Sequence, residues 1–98
     1  MRLTETEVAA IKACAREAFG SGAVVRVFGS RLDDSRRGGD IDLHIQLAER
    51  PRTLEAQAHF RRLLNDRVGE RAYDILVADT HHPALGVHAK ALREGVVL

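Results

Sequence analysis

The stretch Val27-Phe28-Gly29-Ser30-Arg31-Leu32-Asp33-Asp34-Ser35-Arg36-Arg37-Gly38-Gly39-Asp40-Ile41-Asp42-Leu43-His44-Ile45 decides how this chain folds. The residues leading into it, Ala23 to Phe28, are β-branched and bounded by glycines, which predicts a strand. Gly29 to Gly39 is polar and turn-rich and reads as a loop, with room for one helical turn after Ser30. Asp40 to Leu47 then alternates. Ile41, Leu43, Ile45 and Leu47 fall on one side, and Asp40, Asp42, His44 and Gln46 on the other. That is the pattern of a half-buried strand.

Upstream, Thr4 to Phe19 carries Val8, Ile11, Ala15, Ala18 and Phe19 at helical spacing. Thr4 and Glu7 form a capping-box pattern, Leu3 and Val8 are placed as a staple, and Gly20 and Gly22 supply a stop. Downstream, Pro51 breaks the chain, and Leu54, Phe60, Leu64 and Val68 predict a helix over Thr53 to Val68, closed by Gly69. Ala72 to Ala78 predicts a strand with Tyr73, Ile75 and Val77 facing opposite to Asp74 and Leu76. A weaker helical pattern runs from Pro83 to about Glu94, and Val96 to Leu98 reads as either an edge strand or a packed tail. The order predicts one α+β domain over residues 1–98, a small mixed sheet with helices on one face. The polar strand residues point to the other face.

The chain has 98 residues, 15 Lys+Arg against 14 Asp+Glu and a formal net charge of +1. That length suits a single core, and the balance of charge argues against a broad nucleic-acid-binding surface. The lone Cys14 has no disulfide partner, the N-terminal residues lack a signal-peptide apolar run, and no segment nears the roughly 18 apolar residues of a membrane span. The expectation is a cytoplasmic protein.

Asp40 and Asp42 are two apart on a strand, so their carboxylates share a face at about 7 Å. Two such carboxylates stay ionised together comfortably when a cation sits between them, and hard oxygen donors suit Mg²⁺ or Mn²⁺. Asp74 lies mid-strand, where a charge is costly unless paired or ligated. If the two strands are neighbours, it can join the same cluster. Three converging strand carboxylates are what two-metal phosphoryl or nucleotidyl transfer requires. Gly29-Ser30, directly after a strand, offers close backbone approach and a hydroxyl for a triphosphate.

Gly29-Ser30, a loop, Asp40-Ile41-Asp42-Leu43 and a later strand Asp74 together resemble the signature of the DNA polymerase β-type nucleotidyltransferase superfamily. The short chain and its end, Gly86 to Leu98, resemble the minimal nucleotidyltransferases of prokaryotes. The resemblance implies that Gly29 and Ser30 bind phosphate, that Asp40 and Asp42 bind metal, and that Asp74 is the third metal-binding acid near the acceptor hydroxyl. Arg31, Arg36 and Arg37 flank the loop within reach of phosphates, and Arg31 follows the Gly-Ser pair directly. It further implies transfer of a nucleoside monophosphate, AMP from ATP, to a hydroxyl. The acceptor would be a tyrosine of a partner HEPN-domain toxin, which the chain would silence as its antitoxin. A chain this short leaves the acceptor site to a partner protein, to a homodimer or to the acceptor itself. A different class of function is a non-catalytic nucleotide-binding module that neutralises or scaffolds a partner by contact. Transfer to a small molecule would need an acceptor domain that this length does not supply.

Other residues have plainer readings. His44 lies on the Asp40–Asp42 face and reads as a bystander on an open sheet surface, with lining a substrate cleft as the alternative. His81, His82 and His88 lack cysteine or acidic partners at zinc-site spacing. Arg36-Arg37 and Arg61-Arg62 read as solvated charge, with nucleotide or partner contact as the alternative, Phe60 and Tyr73 as core rather than stacking platforms, and Cys14 as a small packing residue.

Overall fold

In a computed structural model of the chain, which describes residues 3–28, 41–48, 51–70, 72–81 and 95–98, the first helix begins where its cap residues place it. The Thr4 hydroxyl accepts from the Glu7 N–H at 3.1 Å, and the Glu7 carboxylate accepts from the Thr4 N–H at 3.0 Å. This reciprocal capping box opens α1 (Glu5–Phe19), and Gly20, at φ 97°, ends it. The chain continues through β1 (Val24–Phe28), β2 (Ile41–Gln46), α2 (Leu54–Arg67), β3 (Tyr73–Ala78) and β4 (Val96–Val97). The expected loop over Gly29–Gly39 and the expected helix after Pro83 lie outside the described residues.

The four strands form one mixed sheet in the order β3-β2-β1-β4. β1 runs antiparallel to both β2 and β4, whereas β2 and β3 are parallel, with α2 as the crossover between them. The tail read as either edge strand or packed coil is therefore a two-residue edge strand. Odd-numbered positions of β1, β2 and β3 face the helices. Val25, Val27, Ile41, Leu43, Ile45, Tyr73 and Val77 form one core with Ile11, Cys14, Ala15, Phe19, Phe60, Leu63 and Leu64. Phe60 is fully buried and its ring lies 5.2 Å from that of Phe19, tilted by 57°. Cys14 is buried in the same core, which pushes its thiol pKa up. No helix among the described residues is long and apolar enough to cross a membrane.

Leu54 departs from the expected core stripe of α2, being 85% exposed. It precedes Phe60 by six residues, which at about 100° per residue rotates it about 120° off the buried face. Leu63, absent from that expected stripe, is buried instead.

Among the described residues β3 is the outer strand on one side. Ala72 and Ala78 turn their carbonyls to β2, accepting from Ile41 and Leu47, so the carbonyls of Tyr73 and Val77 point outward. Two arginines meet them. Arg61 donates to the Tyr73 carbonyl at 3.0 Å and Arg52 to the Val77 carbonyl at 3.1 Å. Arg61 is thus more than solvated charge: it blunts a sheet edge that otherwise templates strand addition. At the far end of α2, Arg67 donates to Glu17 of α1 at 2.7 Å. That hydrogen bond holds the Glu17 carboxyl below its usual range, so the pair supports the fold at neutral pH and loses its effect as acid titrates Glu17 through the lowered value. Both groups are exposed, and salt screens them.

Candidate functional site

Asp42 and Asp74 are register partners. In the parallel ladder Asp42 pairs with Asp74, between Ile41–Tyr73 on one side and Leu43–Ile75 on the other. Directly paired positions on adjacent strands sit about 4.8 Å apart with side chains on one face. Since Ile41, Leu43, Tyr73 and Ile75 face the helices, both carboxylates stand on the opposite face. Asp42 is partly buried there and Asp74 is exposed. The parallel crossover through α2 brings together two acids separated by 32 positions in the chain.

The same end of the sheet receives β1. Phe28 pairs with Asp42 across the antiparallel ladder, so the strand end from which the chain continues into Gly29 lies beside this carboxylate. Gly29, Ser30, Arg31 and Asp40, all expected at the site, lie outside the described residues. So do Arg36, Arg37, His82 and His88. Among the described residues no group of three His, Cys, Asp or Glu side chains is placed to hold a metal. Asp42 and Asp74 are the part of the expected carboxylate set that is described, and as two hard oxygen donors side by side they fit Mg²⁺ or Mn²⁺ chemistry.

His44 corrects the reading of an open surface. It is fully buried, although it occupies the face of β2 turned away from α1 and α2. Alternation specifies the face a residue takes but not what covers that face. Arg26, not among the expected site residues, is directly opposite His44 on β1 and two pairs along from Phe28–Asp42. The signal was present in Val24-Val25-Arg26-Val27-Phe28, a charge at a strand centre whose apolar neighbours enter the core.

Asp79 was also missed. It follows β3 and is 2% exposed. Its Oδ2 accepts from the Arg52 N–H at 2.6 Å and its Oδ1 from the His81 N–H at 2.9 Å. The second bond spans two residues and makes an Asx-turn, whose signal in the sequence is Asp79-Thr80-His81. Five positions along from Asp74, roughly 16 Å, it lies at the other end of the strand from the paired carboxylates. Its role is to tie the entry of α2 to the exit of β3. Asp79→Ala is expected to cost about 2–4 kcal/mol, because two backbone donors lose a charged acceptor. For a domain of this size that lowers Tm by roughly 10–25 °C. A thermal melt that moves by less than about 3 °C would show that the clamp is incidental.

No protein-family model matches this sequence, and no curated protein matches it.

Proposed function

We propose that this chain is a metal-dependent nucleotidyltransferase that moves a nucleoside monophosphate, AMP from ATP, onto a hydroxyl of a partner protein. The observation that carries the reading is the register pairing of Asp42 with Asp74, beside the strand end that runs into Gly29-Ser30. The order α-β-β-α-β, with the third strand parallel to the second, supports a nucleotidyltransferase fold. In this reading Asp40, Asp42 and Asp74 hold Mg²⁺ or Mn²⁺, which would supply charge neutralisation at the phosphates and a more acidic acceptor hydroxyl.

The chain's own residues then bind and orient. Gly29 and Ser30 hold the triphosphate with a backbone amide and a hydroxyl, and Arg31 adds a cation. The acceptor oxygen attacks the α-phosphorus in line, and the bond from that phosphorus to the oxygen bridging to the β-phosphorus breaks. Pyrophosphate leaves with the bridging oxygen. Asp74, the more exposed of the described pair, receives the hydroxyl proton. Most of the rate comes from positioning and from fixed charge. The acceptor we favour is a tyrosine of an HEPN-domain toxin, with the chain as antitoxin.

Intact-mass spectrometry on proteins that co-purify with the tagged chain, before and after addition of Mg²⁺ and ATP, tests this. A partner that gains the mass of an AMP residue only with the wild-type chain is the expected result. A partner that binds but never gains mass, with any nucleotide and with either metal, would replace the enzyme by a contact-only module.

A further inference from the structure

Arg26 holds a buried donor without an acceptor on the sheet face that carries Asp42 and Asp74. It is partly buried, and its Nη1 is shut away from solvent with no hydrogen-bond partner among the described residues. A guanidinium offers five donors and stays charged at any physiological pH, so a buried N–H without an acceptor is a standing penalty. Folds rarely keep such a group unless something outside the chain satisfies it.

Its position narrows what that is. Arg26 is opposite His44, and Asp42 is its diagonal neighbour across the β1–β2 ladder. Diagonal pairs are about 7–8 Å apart, a span an arginine side chain covers. The guanidinium therefore shares a neighbourhood with Asp42, and Asp74 lies one strand further along the same face. A positive group on the face of two acids that leaves a donor unpaired fits an anion that approaches with its own cation. A phosphate chain carried in with a divalent metal has that composition, and its oxygens match the guanidinium fork.

We propose that Arg26 binds the phosphate chain of the nucleotide, an inference that rests on the nucleotidyltransferase reading above. The chemistry recognised is a polyphosphate, so inorganic pyrophosphate is a substrate-independent probe. Isothermal titration of ATP and of pyrophosphate, each with Mg²⁺, into the full chain and its Arg26→Met and Arg26→Lys variants tests it. Arg26→Met is expected to weaken both ligands by about tenfold or more, and Arg26→Lys by about threefold, since lysine keeps the charge but not the fork. The ligand-free Tm of Arg26→Met should not fall, because the variant removes an unsatisfied donor. Wild-type affinity for both ligands in either folded variant overturns the role of Arg26 and leaves the enzyme reading standing. A wild-type chain that binds neither ATP nor pyrophosphate overturns that reading, and this inference with it.

Discussion

Asp42→Asn is expected to lower nucleotidyl transfer on the order of 10³-fold while leaving the chain folded. A carboxylate that holds the metal contributes several kcal/mol of charge stabilisation in the transition state, and about 4 kcal/mol corresponds to that factor. The amide keeps the size and one oxygen but loses the charge. In the absence of divalent cation the same change should leave Tm unchanged or raise it. Asp42 and Asp74 are direct partners in the ladder, and like charges so placed repel. The two effects thus have opposite signs, which separates a catalytic role from a structural one. Asp74→Asn should also suppress transfer, by about 10²–10⁴-fold if it takes the acceptor proton. Single-turnover transfer to the partner, followed by mass, reads both variants against wild type. An Asp42→Asn chain that transfers within tenfold of wild type sinks the metal assignment.

Much of the scaffold was legible because local chemistry and global packing agree in it. Thr4 and Glu7 are a capping box in sequence and in space. The alternation of Ile41, Leu43 and Ile45 with Asp42, His44 and Gln46 became one buried and one opposite face, as a period of two demands. Asp74 could be placed on the right face of its own strand for the same reason. That its strand runs beside Asp42, in a register pairing the two acids, depends on the α2 crossover and not on either strand alone. Long-range pairing of this kind leaves no local trace.

Most of the misses come from long-range contacts. His44 is buried although its face was read as open, and Leu54 is exposed although it is apolar. Arg61 and Arg52 serve outward carbonyls of β3, and Asp79 receives the N–H of Arg52 from 27 positions away. For the two arginines and for one oxygen of Asp79 the partner comes from another element, so the residue's own neighbours in sequence are silent; Leu54 is turned outward by the period of its own helix. Solvated charge is the ordinary reading of an arginine pair, and it fails here only because β3 is an edge strand.

Phe60→Ala should be the most destabilising single substitution in the described core. Phe60 is fully buried, packs against Phe19 at 5.2 Å, and joins α2 to the layer formed by α1 and the sheet. Truncation removes the transfer free energy of the ring and leaves a cavity that flanking helices fill only in part, about 3–5 kcal/mol in all. That is a large share of the 5–15 kcal/mol typical of a domain, and lowers Tm by at least about 12 °C. Phe60→Leu, which keeps most of the volume, should cost about 1.5 kcal/mol or less. Leu54→Gln, on the exposed side of the same helix, should stay within about 0.5 kcal/mol. The consequence for function is indirect and can be measured. α2 is the crossover that lays β3 parallel to β2 and so pairs Asp42 with Asp74. Phe60→Ala should therefore lose transfer in step with its unfolded fraction across a temperature series, and recover it on cooling, whereas Asp42→Asn should be inactive at every temperature. Full activity in Phe60→Ala above its own Tm would mean that the paired carboxylates are not the site.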